Sequence, residues 1–279
     1  MRVAWRGMLC WLVTGAAWAN SYGPTRSQIE ATMMVSGTLS VDEAGNVTAN
    51  AIDHLEQLPA AVVQLVQQTL PTFRFQPVLH DGKPQPVHAL MNLVVAANQV
   101  DPKHVAIRIR SARFSETGSA SSEQISVDHR GLLRFPEEAI KAGVGGTVYV
   151  AVRIDRSGHV LDAQVQQVNL RVVDNTRQMK HWRDEFAKPT LAAMRRFTFN
   201  VPTGGAHADD QSFTGILPVS YYVDNQGPPK YGQWDPYVPG PRQDITWLDD
   251  EEAGANEAIP DWAFAQTGTD MKLLTPPGG

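Results

Sequence analysis

The chain has 279 residues, 24 basic against 29 acidic, with a net charge of −5, 42% hydrophobic residues and one cysteine. A mildly acidic surface repels a phosphate backbone, which speaks against nucleic acid as a partner. The lone Cys10 excludes an intrachain disulfide, and the length suffices for a core held without covalent staples.

The first residues carry Arg2 and Arg6, then an apolar run from Met8 to Ala19 that ends in Ala17-Trp18-Ala19. Positive charge, a short apolar stretch and a small-x-small triplet form a secretory signal, with cleavage predicted between Ala19 and Asn20. The apolar run is shorter than the ~20 residues a spanning helix needs. Cleavage therefore predicts an exported, periplasmic chain with no transmembrane helix. It also removes Arg2, Arg6 and Cys10, leaving 22 basic against 29 acidic residues and no thiol for a nucleophile or metal site.

Two folded segments follow, at 30–114 and 127–223, joined by a polar linker at 115–126. They share a pattern. Strand residues up to Val41 precede Asp42-Glu43-Ala44-Gly45-Asn46-Val47, and those up to Ile154 precede Asp155-Arg156-Ser157-Gly158-His159-Val160. Each Asp-x-x-Gly-x-Val reads as a hairpin, the aspartate accepting from turn amides and the glycine taking a positive φ. A helix comes next, with Pro59 and Pro189 each expected in its first turn, where a missing N–H costs nothing. On that reading residues 169–184 form a long connection. Phe73-Arg74-Phe75 and Phe197-Thr198-Phe199 follow the helices, and a last strand closes each unit, Ile216–Val223 in the second. Each unit reads β-β-α-β, an α+β class with an antiparallel sheet backed by helix on one face. The alternating run Val105–Arg110 either extends the first sheet or bridges to the second.

Residues 224–279 change character. Pro228-Pro229, Pro239-Gly240-Pro241 and Pro276-Pro277-Gly278-Gly279 predict a largely disordered tail. It also holds Trp234, Trp247 and Trp262, anchors that either clamp the tail onto its own domains or fold on a partner.

Enzyme signatures such as Gly-x-Ser-x-Gly, His-Glu-x-x-His or a Walker loop are missing from the sequence, so the expectation is a non-enzymatic protein without cofactor or metal. Asp42 and Asp155 fit turn roles better than acid catalysis. His80, Asp81 and His88 are the nearest approach to a metal-dependent hydrolase, with no third histidine nearby to complete a site.

Segment two resembles the C-terminal domain of the TonB family. The likeness runs through Phe135-Pro136-Glu137-Glu138-Ala139-Ile140, Gly146, the Asp155–Val160 hairpin, Leu191–Phe199 and Leu217-Pro218-Val219. Segment one is similar but truncated, lacking the opening Phe-Pro-x-x-Ala helix. The resemblance implies a binding or adaptor protein whose last strand accepts an extended peptide or protein, such as an outer-membrane protein, by strand addition. It places that surface at Ile216, Leu217, Val219, Ser220, Tyr221, Tyr222 and Val223; the alternative is that the first unit or the Trp-bearing tail covers this strand. The alternative it carries is an energy transducer that keeps its N-terminal anchor. About fifteen residues lie between Ala19 and the first strand, an extended reach of only ~50 Å.

Overall fold

The computed structural model describes residues 29–80, 82–101, 104–118, 121–205, 207–223, 227–248, 259, 261, 263–266 and 271–277. The predicted signal with its Ala19–Asn20 cleavage point, Asp81 and Trp262 lie outside them. The fold is mixed α+β and rich in sheet, built on two open antiparallel sheets.

The first sheet begins with β1 (Glu30–Val41), in which Met33, Val35, Leu39 and Val41 alternate onto the buried face. The second strand, β2 (Val47–Ile52), returns along it. Gly37 sits where these strands press together, since a Cβ there would lie 2.2 Å from the Ala51 carbonyl oxygen. Helix α1 (Ala60–Thr69) starts after Pro59 and buries Val62 and Val66, with Leu70 one turn on. The short pair β3 (Leu79–His80) and β4 (Lys83–Pro84) precedes β5 (Val87–Asp101) and β6 (His104–Glu116). β5 lies between β1 and β6, so the run at Val105–Arg110 extends the first sheet. Ser115 and Glu116, expected in a linker, complete β6 and pair with Leu90 and Ala89.

In the second unit, β7 (Ser126–His129) precedes helix α2 (Glu137–Ala142), which ends on Gly143 at φ 65°. Strands β8 (Gly146–Asp155) and β9 (Val160–Leu170) form the hairpin, with Val148, Val150, Val152 and Ile154 wholly buried. Helix α3 (Thr176–Met194) follows. Here the sequence expectation is corrected, because Pro189 stands inside α3 rather than in its first turn. The helix starts at Asn175, whose side chain accepts from the Gln178 amide at 3.0 Å. Most of the expected connection at 169–184 is thus helical, and Met179, Trp182, Phe186, Thr190 and Ala193 form its buried stripe. β10 (Thr198–Asn200) pairs β7, and β11 (Ser212–Tyr221) pairs β8.

The tail supplies β12 (Asp235–Tyr237), which pairs β1, and β13 (Ala265–Gln266), which pairs β11. Over its described residues the tail is therefore built into both sheets and departs from the expected disorder. Its apolar side chains account for this. Tyr231, Trp234, Met271 and Leu273 pack on the first core, while Ile245, Leu248, Ile259 and Ala265 form a cluster with Ala151 and Ile216. Each fully buried apolar side chain contributes about 1.5–3 kcal/mol, enough to offset the entropy of a few ordered Pro/Gly residues.

The two hairpin turns are built alike. Asp42 Oδ1 accepts from the amides of Ala44 (2.9 Å) and Asn46 (2.8 Å), and Asp155 Oδ1 from those of Ser157 (2.8 Å) and His159 (2.9 Å). Gly45 and Gly158 follow at φ 85° and 83°. In each case the aromatic segment presses on the glycine. The Phe75 amide donates to the Gly45 carbonyl at 2.8 Å and the Phe199 amide to the Gly158 carbonyl at 2.9 Å. A Cβ on either glycine would lie 2.0 Å from the phenylalanine carbonyl oxygen. That contact explains why each hairpin glycine comes with a distant Phe-x-Phe, for one seats the other.

Candidate functional site

Placed side by side, the sheets read β2-β1-β5-β6 and β9-β8-β11-β13. The outer edge of β5 is closed by β6 along its length, from Ala89 to Asp101. Among the described residues the corresponding edge of β11 is closed by two ladder pairs, Gly215 with Gln266 and Ile216 with Ala265. One further contact lies along it, where the Ser220 amide donates to Asp261 Oδ1 at 3.0 Å.

Counted along the chain, Asp261 is the position opposite Ser220 when the pairing of Ile216 with Ala265 is continued, though Asp261 stands in a turn and meets Ser220 through its side chain. In such a ladder successive residues point their backbone groups to opposite sides. The outward N–H groups of β11 are then those of Thr214, Ile216 and Ser220, while Val219 turns inward to β8. Pro218 occupies the one outward position between Ile216 and Ser220, as proline must on an edge strand.

The side chains divide in the same way. Leu217, Val219 and Tyr221 enter the helix-side core, and Ile216 enters the tail cluster on the other face. Tyr221 is buried against Phe135 and Phe186, with ring centroids 5.1 and 4.8 Å away, and its hydroxyl meets Thr190 Oγ1 at 2.7 Å. Burial pushes its phenol up to about 12. Ser220 Oγ lies 2.9 Å from Thr147 Oγ1. Of the sequence-predicted surface, Ile216, Leu217, Val219 and Tyr221 are buried, Ser220, Tyr222 and Val223 are half-buried, and the last two lie past the end of β11. What these residues can offer a partner is therefore mainly backbone.

Beside this edge a cleft of about 400 Å³ opens between the two sheets, with Pro218, Ser220 and Tyr222 on one wall and Thr32, Met34 and Val94 on the other. Arg171 and Asp235 sit at its border as a bidentate pair, Nε to Oδ1 at 3.0 Å and Nη2 to Oδ2 at 2.7 Å, each about a fifth exposed. The guanidinium stacks 4.6 Å from the Tyr222 ring centroid. Burial alone would lower the Arg171 pKa, but the Asp235 carboxylate outweighs it and holds the charge more firmly than usual. Burial also raises the Tyr222 phenol, against a hydrogen bond with Ser220 that lowers it.

Of the other sequence candidates, Asp81 lies outside the described residues and the two histidines meet different partners. His80 Nε2 lies 3.1 Å from Glu116 Oε1 and His88 Nδ1 lies 2.9 Å from Ser40 Oγ. Among the described residues no group of three His, Cys, Asp or Glu side chains is placed to hold a metal. Asp42 and Asp155 serve their turns, and hydrogen bonds, chiefly from Asn46 and Ser157 side chains, hold both carboxyls below the usual range. Among the described residues no helix is long and apolar enough to cross a membrane.

The tail does cover part of the β11 edge, one of the two covers the sequence allowed; the residues that do so, Asp261, Phe264, Ala265 and Gln266, were not singled out, nor were Arg171 and Asp235 beside the cleft. Gly215 was the available signal, since a glycine inside a strand marks close backbone approach. A Cβ there would meet the Ala265 carbonyl oxygen at 2.3 Å and the Phe264 ring at 2.5 Å. No protein-family model matches the chain, and neither the curated proteins nor the solved structures gave a match.

Proposed function

We propose that this chain is a non-enzymatic periplasmic binding or adaptor protein that engages an extended segment of a protein partner by strand addition to β11. The observation that carries the reading is the contrast between equivalent edges. β5 is paired by β6 from Ala89 to Asp101, while among the described residues β11 is held at Gly215, Ile216 and Ser220 by a strand of two residues and one carboxylate. Outward amide and carbonyl groups give a partner its affinity, and the side chains bordering the cleft give it selectivity. A protein fragment such as an exposed terminus of an outer-membrane protein has the required chemistry, an extended backbone with its hydrogen bonds unpaired.

The test is a photo-crosslinking residue placed at Ser220 and, as control, at the exposed Leu161 on β9. A discrete partner adduct from position 220 and none from 161 supports the reading. Equal adducts from both, or none from 220, refute it. Since Val219 faces β8, proline there breaks the core ladder, and Ser220→Pro is the variant that removes an outward donor. N-terminal sequencing of the exported chain tests the location: a start at Asn20 supports the adaptor, and a retained Met1 supports an anchored transducer.

A further inference from the structure

Resting on the reading of β11 as a binding edge, we infer that the tail residues Asp261 and Ala263–Gln266 act as a built-in ligand. The pattern specifies the partner: a carboxylate residue followed three positions later by an aromatic one with a small residue on either side of it, running into a short antiparallel strand.

Each element of that pattern has a seat. Asp261 Oδ1 accepts the outward Ser220 amide, a carboxylate taking the place of a backbone carbonyl. Continuing the register sets Ala263 opposite Pro218, where a small residue fits beside a ring and no donor is required. Phe264 falls opposite Leu217, so it points to the helix side. It packs there against Phe199, with ring centroids 5.3 Å apart, and its edge crosses Gly215. Any side chain at position 215 would occupy that space, so glycine there makes a slot one aromatic ring wide. Ala265, paired with Ile216, points to the other face and is buried against Ile245 and Leu248. Gln266 ends the segment, its carbonyl accepting from Arg113 Nη2 at 3.0 Å. That last bond belongs to the first unit, so the segment is held by both.

A partner strand must displace this segment. The tail is tethered, and a tethered strand competes at an effective concentration of order millimolar for a short flexible linker. Affinity for an outside strand is reduced by the fraction of time the edge is closed. Weakening the tail therefore strengthens partner binding.

The experiment uses the full chain, unaltered or carrying Asp261→Ala and Phe264→Ala singly and together. Three labelled peptides are the probes: Ala258–Thr267 of this chain, the same peptide with Phe264→Ala, and an alternating Thr-Val strand of equal length. Affinities are read by fluorescence anisotropy. The tail peptide is expected to bind the double variant at least tenfold tighter than the unaltered chain, with the single variants between, and the Phe264→Ala peptide at least tenfold weaker. Equal affinity for the unaltered chain and all three variants overturns the tail as occupant. A Thr-Val strand that binds as well as the tail peptide overturns the pattern while leaving strand addition standing. No peptide binding to any variant refutes β11 as a binding edge, and the inference falls with it.

Discussion

Replacing Gly158 by alanine tests the contact on which both hairpins are built. At φ 83° an L residue pays about 1–2 kcal/mol for the left-handed conformation. The new Cβ also lies 2.0 Å from the Phe199 carbonyl oxygen, a distance that backbone must move to relieve. Moving it breaks the 2.9 Å bond from the Phe199 amide and disturbs Phe197 and Phe199, both buried. That adds about 2 kcal/mol, giving a total near 3–4 kcal/mol. Gly143→Ala in the same unit is the control, for Gly143 has φ 65° and nothing within 4 Å of a Cβ, so it pays the conformational cost alone. Urea unfolding of the two variants measures the difference directly, and for a protein of this size each kcal/mol moves Tm by about 2–4 °C. If Gly158→Ala is no less stable than Gly143→Ala, the seating of Phe-x-Phe on the turn glycine is wrong.

Four further outcomes are expected. Thr190→Val strands the Tyr221 hydroxyl in the core and costs about 1–3 kcal/mol by unfolding, and adding Tyr221→Phe recovers part of the loss. The Tyr221 phenol, pushed up to about 12, stays neutral in the folded protein when an unfolded tyrosine ionises, so its contribution is intact below about pH 10 and lost as pH rises towards 12, which absorbance titration with parallel unfolding follows. Asp42 and Asp155 have depressed pKa values when folded; their stabilisation is present above the ordinary carboxylate value and lost as pH falls through the folded values. Asp42→Asn with Asp155→Asn should flatten the acid limb of a stability–pH curve. Asp235→Asn leaves Arg171 without its carboxylate partner, costs about 2 kcal/mol and speeds hydrogen exchange of the β12 amides it holds.

The hairpins were legible because their chemistry is local. An aspartate, a turn glycine and an alternating valine run specify a turn whatever surrounds them, and Asp42 and Asp155 behave as that reading requires. Helix α3 was less legible. Its stripe from Met179 to Ala193 has helical spacing, but Pro189 drew the start thirteen residues too late, Thr176 being the first helical residue. A proline inside a helix is tolerated where the surrounding packing outweighs one lost hydrogen bond, which a local rule does not register. The tail was the least legible part. Strands of two and three residues carry no periodicity, and their placement follows from Trp234, Ile245 and Phe264 finding apolar partners far off in sequence. The site inherits that difficulty, because half of it comes from the tail.

The seams closed by the tail join the most distant parts of the chain. The Ser36 amide reaches the Tyr231 hydroxyl across 195 residues, and the Arg74 amide reaches Thr275 across 201. Closing loops of that length is slow, so these contacts form after the local hairpins. A chain that folds from its N-terminal side can form β1 to β11 before β12 and β13 arrive, and through that interval Gly215 and Ile216 of β11 lack their partners Gln266 and Ala265. On the proposed reading of β11 as a binding edge, that interval is the one in which a partner strand has no tail to displace.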